Sequence, residues 1–410
     1  MDALPRAAPP VAAAPDADRR AVDAAIRATY AAFIATGFAF SSWASRIPQV
    51  KNGLDLDPSA LGLVLLAIAA GSVPALPLSG PIVSRFGSRR TVTIMAIVAG
   101  VALVVVALGY RVGVAPVVVG LFAFGVGTGT WDVAMNVQGA LVERRHGRAI
   151  MPRFHAGFSL GTVAGALGGA LMVVLGVGVT VHLLLVGAVI GLGVPFAVRA
   201  FIPDRADRED PDTAATGGRA ALAAWREPRT LLVGVFVLAF AFAEGSGNDW
   251  IGVAMIDGHG TDAAVGTLAF AVFLSAMTAG RWFGPVLLDT YGRVPVIRVL
   301  TLTSVAGLAL FAFASSTALI FVGTVLWGVG ISLGFPVGMS AGADDPARAA
   351  PRVSVVSSIG YVAFLAGPPL IGFLASRSTV PHALTAVLVL LALAGLVTGA
   401  VRPLEEPLRG

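Results

Sequence analysis

Three carboxylates, Asp132, Glu244 and Asp249, lie inside stretches of the chain that are otherwise apolar. An acid in the middle of hydrocarbon costs about 2.5 to 3.5 kcal/mol on insertion scales, so it needs a partner or a wet cavity. Asp132 and Glu244 each have an amide four residues on, Asn136 and Asn248, and that spacing puts acid and amide on one helix face. Such a pair suits a polar solute, the amide bonding hydroxyls while the carboxyl exchanges a proton. The other reading is a protonated acid that hydrogen-bonds two helices together. Trp43 and Trp250 could stack on a sugar-like ring or anchor the chain at an interface. His155 could relay protons or cap a helix. Arg281, also inside an apolar run, could bind an anion or snorkel to the interface.

Other chemistries find no residues. Without cysteine the chain has no disulfide framework and no thiolate metal site, and it carries no Walker sequence, metal-ligand cluster or Ser-His-Asp spacing. Gly125, Gly127 and Gly129 resemble part of a dinucleotide fingerprint, but that motif needs a strand before it, and here it falls in an apolar span. The chain therefore reads as a non-enzyme with no cofactor and no metal. The net charge of +5 is scattered over short loops, so no nucleic-acid partner is expected.

The scaffold that carries these residues follows from composition. With 56% hydrophobic residues, 12% charged and a mean hydropathy of +0.85, 410 residues carry too little polar surface to cover a soluble globule. Apolar runs of about 20 residues, enough to cross roughly 30 Å of hydrocarbon, mark membrane helices. Twelve are expected, six in each half: near 28–45, 59–83, 91–108, 112–140, 154–175 and 180–198, then 230–254, 263–287, 299–314, 317–342, 353–374 and 383–401. The fold class is thus an all-α membrane protein with two six-helix bundles at 26–198 and 230–401. Residues 1–25, rich in Ala, Pro, Asp and Arg, read as a disordered tail without the apolar core of a signal peptide. Residues 199–229 read as a polar linker, with a short amphipathic helix possible over Ala220 to Trp225, and 402–410 as a second tail.

The halves repeat. Pro152, Arg153, Gly161 and Gly168 recur as Pro351, Arg352, Gly360 and Gly367 at an offset of 199, and Gly62 and Gly80 recur as Gly266 and Gly284 at 204. Internal duplication in a membrane chain is the architecture of transporters. If both termini face the cytoplasm, 23 of the 28 basic residues fall on that side. The positive-inside rule therefore places both termini within, in a bacterial-type cytoplasmic membrane.

The loop between the second and third spans carries Gly80, Ser84, Arg85, Gly87, Arg89 and Arg90, and its second copy carries Gly284, Asp289, Gly292 and Arg293. With these loops and the duplicated spans, nearly the whole chain resembles the major facilitator superfamily. The resemblance implies twelve helices around a central cavity that alternates its access, with helices 1, 4, 7 and 10 lining it. It also implies gating loops whose glycines turn the chain and whose acid and arginines latch one state. Ser84 stands where that family has Asp, so the first latch is expected to be weaker. Within the family, Asp132 to Gly139, His155 to Gly161 and Glu244 to Trp250 resemble the fucose-permease-like sugar and organic-solute porters. Those porters also use an acid in helix 1, where this chain offers Thr36, Ser41, Ser42 and Ser45. Proton coupling then rests on Asp132 or Glu244. Gly161, Gly165, Gly168 and Gly169 approach the helix 5 pattern of drug antiporters, but Ala166 replaces its proline and these spacings also serve plain helix packing. The expected function is proton symport of a small polar, sugar-like solute by a monomer, with proton-coupled efflux and a transport-silent sensor as alternatives.

Overall fold

The computed structural model describes residues 16–148, 150–204, 223–345 and 348–404, which are almost wholly helical. Twelve helices are long and apolar enough to span a membrane: α1 (Arg19–Gly53), α2 (Pro58–Phe86), α3 (Ser88–Gly109), α4 (Val114–His146), α5 (Met151–Val174), α6 (Val179–Ala200), α7 (Pro228–Gly258), α8 (Ala263–Tyr291), α9 (Arg293–Phe313), α10 (Thr317–Gly342), α11 (Pro351–Ala375) and α12 (Val380–Val401). Most outrun the apolar segment that marks them, because helical hydrogen bonding continues into the polar caps. The helix of α1 begins at Asp16, so part of the stretch read as tail is helical. Residues 1–15, 205–222 and 405–410 lie outside the described residues, as does the first half of the amphipathic turn expected over Ala220 to Trp225.

Duplication reaches local chemistry the spacing pattern does not reveal. Asp57 caps α2 by accepting the Ala60 N–H at 2.8 Å, and Asp262 caps α8 by accepting the Val265 N–H at 2.8 Å. Each α2-like helix ends at a glycine with positive φ, Gly87 (+80°) and Gly292 (+79°), where a side chain would strain the turn. Gly80 and Gly284, expected to turn the chain, instead sit inside α2 and α8.

The outer helices show why the chain needs a bilayer. Leu192 on α6 and Leu396 on α12 are 76% and 82% exposed, amid surface Val, Ile and Phe on α3, α6, α9 and α12. A face of that kind aggregates in water and is satisfied by lipid tails.

Odd- and even-numbered helices run in opposite directions, so the start of α1, the end of α12, the end of α6 and the start of α7 share one side, the terminal face. The opposite side is the distal face. The bundles meet along α2 with α11 and α5 with α8. At the distal end Gly62 and Gly372 let α2 and α11 touch, since a Cβ on either would collide with backbone of the other helix. Ser59 also donates to the Gly372 carbonyl at 3.4 Å.

Candidate functional site

The distal end is closed by a device built from two helix irregularities. α1 breaks at Ser45 and Arg46, then resumes as the short helix Ile47–Gly53. Arg46, although charged, is 2% exposed. Its Nε donates to His182 Nδ1 at 2.8 Å and its Nη2 to the Val177 carbonyl at 3.0 Å, tying the break to α6 and the turn before it. α7 ends in a π-helical turn over Ala254–Gly258, which carries Asp257. Across the two bundles Lys51 and Asp257 form a 2.8 Å ion pair, and Pro48 lies against Gly252. Among the described residues, the polar contacts joining the bundles are this pair and the Ser59 bond, both distal.

On the terminal face the charged networks among the described residues that follow lie within one bundle. Asp344 accepts from Arg229 and Arg293, each at 2.7 Å, and Arg293 also donates to Ser340. The acid and arginine of the second gating loop therefore do not pair with each other, since Asp344 from the end of α10 takes Arg293. In the first loop Asp204, beyond α6, accepts from the Ser88 N–H at 2.6 Å and from the Ser88 hydroxyl. Arg85 lies over the Phe86 ring, while Arg89 and Arg90 are exposed. Among the described residues the bonds that join the bundles are thus confined to the distal end, which is the closed end.

Glu227, just before α7, accepts from Arg352 at 2.6 Å, Thr230 at 2.9 Å and Arg348 at 3.2 Å. The Arg352 hydrogen bond, foremost, holds its carboxyl below the ordinary glutamate range. A depressed folded pKa contributes stability that is present above the unfolded value, about 4.3, and is lost as pH falls through the folded value. With Glu227 25% exposed, that contribution is about 1 kcal/mol. Glu227→Gln should melt a few degrees below wild type at pH 7, with the gap closing under pH ~4. Melting curves with an equal gap at pH 7 and pH 3 would contradict this.

Between the two ends lie the intramembrane polar residues. Asp132 is half-buried on α4, seven residues on from Gly125, which abuts Ile68 of α2, and three on from Gly129, which abuts Ser72. It is close enough to Tyr361 of α11, in the other bundle, for its charge to act there. Asn136 donates one amide N–H to the Asp132 backbone carbonyl at 2.8 Å, leaving its second N–H and its Oδ1 for a solute. On α7, Glu244 does not pair with Asn248; it binds Arg281 of α8 at 2.7 Å. Arg281 Nε also points at the Ser332 carbonyl of α10, 3.3 Å away. Snorkelling is therefore wrong for Arg281: a carboxylate one helix away offers its guanidinium more than the interface does. Asn248 Oδ1 and the Thr278 hydroxyl, on α7 and α8, are buried without a partner among the described residues. Asp249 is half-buried beside Asn248 in sequence.

Two further expectations are corrected, and the glycines of helix 5 agree with the packing reading. Trp43 and Trp250 are 1% and 0% exposed, so in this state they neither anchor an interface nor offer a free face for stacking. His155 is exposed near the start of α5, with its ring edge-on to Phe33 at 5.1 Å and within electrostatic reach of Arg281. It caps nothing, because Glu143 caps that helix through the Ile150 and Met151 N–H groups at 2.7 and 2.6 Å. Gly161 and Gly165 are taken up by close packing on the α1 backbone at Ile34 and Phe38, the structural use of that spacing.

The family model described as Major Facilitator Superfamily matches residues 29–350. The chain belongs to the Major Facilitator Superfamily. Among its relatives, the uncharacterized transporter y4wD of Sinorhizobium fredii is 31% identical over 356 residues, covering 86% of this chain and 92% of the relative. The crystal structure of a point mutant of the nucleoside transporter NupG superposes with a TM-score of 0.76 at 13% identity, over 92% of this chain and 98% of that one. A point mutant of the fucose:proton symporter FucP of E. coli gives 0.58 at 14% identity, over 90% and 97%. At those identities the solved structures establish the fold alone. The protein is a multi-pass Major Facilitator transporter and not an enzyme.

The three intramembrane acids stand out in the sequence, whereas Tyr361, Thr278 and the Lys51–Asp257 pair do not. Lys51 and Asp257 sit 206 positions apart in ordinary distal segments, so only tertiary contact exposes them.

Proposed function

We propose that this transporter moves a small polar, sugar-like organic solute by proton-coupled symport in a bacterial-type cytoplasmic membrane, with both termini cytoplasmic. The 23 basic residues assigned to the terminal face support that orientation, and the structure then corresponds to the inward-open state. The observation that carries the coupling is the contrast between two acids. Glu244 is already matched by Arg281, whereas Asp132 is half-buried with no cationic partner among the described residues. An unmatched carboxyl that faces water on alternating sides can load and release a proton. The Glu244–Arg281 pair then holds α7 against α8 beside the site, with Asn136, Asn248 and Asp249 as the polar contacts for hydroxyls. The neighbouring FucP is titled a fucose:proton symporter, which agrees with this reading.

The test uses purified protein in liposomes loaded with a pH dye and challenged with sugars, polyols and small organic acids. Solute-dependent acidification of the lumen is expected, and Asp132→Asn should reduce it at least ~10-fold while solute exchange persists. Silence across that panel, with proton movement triggered only by lipophilic cations, would replace this reading with efflux.

A further inference from the structure

Tyr361 of the opposite bundle lies within electrostatic reach of Asp132, and its place on α11 is suited to closure. Tyr361, Pro368 and Gly372 are spaced by seven and eleven residues and so share one face of α11. At Pro368 and Gly372 that face already touches α2 of the first bundle, by Gly62 and Pro58. Tyr361 lies two to three turns nearer the terminal face than these contacts and is half-buried. Its ring centroid is 6.3 Å from that of Phe364, which in turn lies against Gly245, the residue after Glu244. Among the described residues, neither the Tyr361 hydroxyl nor the Asp132 carboxylate has a hydrogen-bond partner in this open state.

We propose that Tyr361 is a positioning residue for transport: as the terminal side closes, its hydroxyl donates to the Asp132 carboxylate, so that the closed state is held by a bond the open state lacks. This rests on the alternating-access reading and on Asp132 as the acid of the cleft, but not on any particular solute. A hydrogen bond to a charged group amounts to roughly tenfold or more in an equilibrium. The contact through Phe364 to the neighbourhood of Glu244 also gives closure a path to the Glu244–Arg281 pair.

The test needs no substrate. The chain has no cysteine, so Ser84→Cys on α2 and Ser354→Cys on α11, both exposed at the terminal face, can carry the only two spin labels. Their distance distribution in nanodiscs reports the ratio of closed to open protein. Tyr361→Phe, which keeps the ring and its contact with Phe364, should lower that ratio about tenfold when Asp132 is present and less than twofold in the Asp132→Ala background. An equal effect in both backgrounds, or none in either, overturns the proposal. Melting temperature and gel-filtration profile of each variant establish that it is folded. Repeating the measurement from pH 5 to 8 separates the two readings. A ratio that ignores pH but still shows the non-additivity leaves the Tyr361 bond standing and removes proton coupling at Asp132.

Discussion

Oxidising a Pro48→Cys/Gly252→Cys variant is expected to abolish transport, and reduction to restore it. These positions face each other across the distal seal, and a Cβ at Gly252 would sit 2.9 Å from Pro48 Cγ. Side chains that close can reach the Cβ spacing of about 3.5 to 4.5 Å that a disulfide requires. A transporter that works by alternating access must open this end once per cycle, so a covalent bond here removes the outward-open state altogether. The absence of native cysteine makes the result clean, because no other thiol can exchange with the pair. Each single variant should retain activity under the same oxidant. The measurement is the initial rate of solute-driven lumen acidification before and after reduction. Full activity in a preparation verified as crosslinked would mean that the distal seal does not open during transport.

Arg281→Met is expected to lower transport at least ~30-fold, with Glu244→Gln only slightly milder and the double variant recovering part of the loss. Removing one partner of a buried ion pair strands the other charge, at a cost of about 3–5 kcal/mol where burial is complete. Here the side chains are 24% and 19% exposed, so water screens the stranded group and the penalty falls below that range. Removing both charges leaves nothing stranded, which is why the double variant should regain activity if the pair acts by holding α7 and α8 together. Arg281→Lys should be intermediate, since an ammonium keeps the charge but cannot reproduce the guanidinium's two-directional donation to Glu244 and Ser332. Initial rates, normalised to folded protein, decide the matter. A double variant as inactive as either single one would show that each group contacts the solute in its own right.

Much of this molecule is legible from its residues. Apolar runs predict helices in lipid because every backbone polar group must be bonded within its own segment, so twelve runs become twelve spans. The repeat offsets predict two matching bundles, and the matched caps Asp57 and Asp262 repeat at a similar interval. The acids Asp132 and Glu244 declare themselves because a carboxyl in hydrocarbon is too costly to be incidental. Their partners do not. Spacing along one helix suggests Asn136 and Asn248, yet Asn136 turns to its own backbone and Glu244 reaches across to Arg281. A pattern within one helix specifies which face a residue occupies, whereas the strongest bond available is set by whichever helix packs on that face. Gly87 and Gly292, true turn residues, differ for a similar reason from Gly80 and Gly284, which lie within helices although the sequence marks all four alike. Membrane residence, helix count, duplication and the intramembrane acids all follow from local composition and period, and so are readable along the chain. The sealed end, the acid that is matched and the acid left open to the cleft are settled by folding, because they depend on contacts between residues tens to hundreds of positions apart.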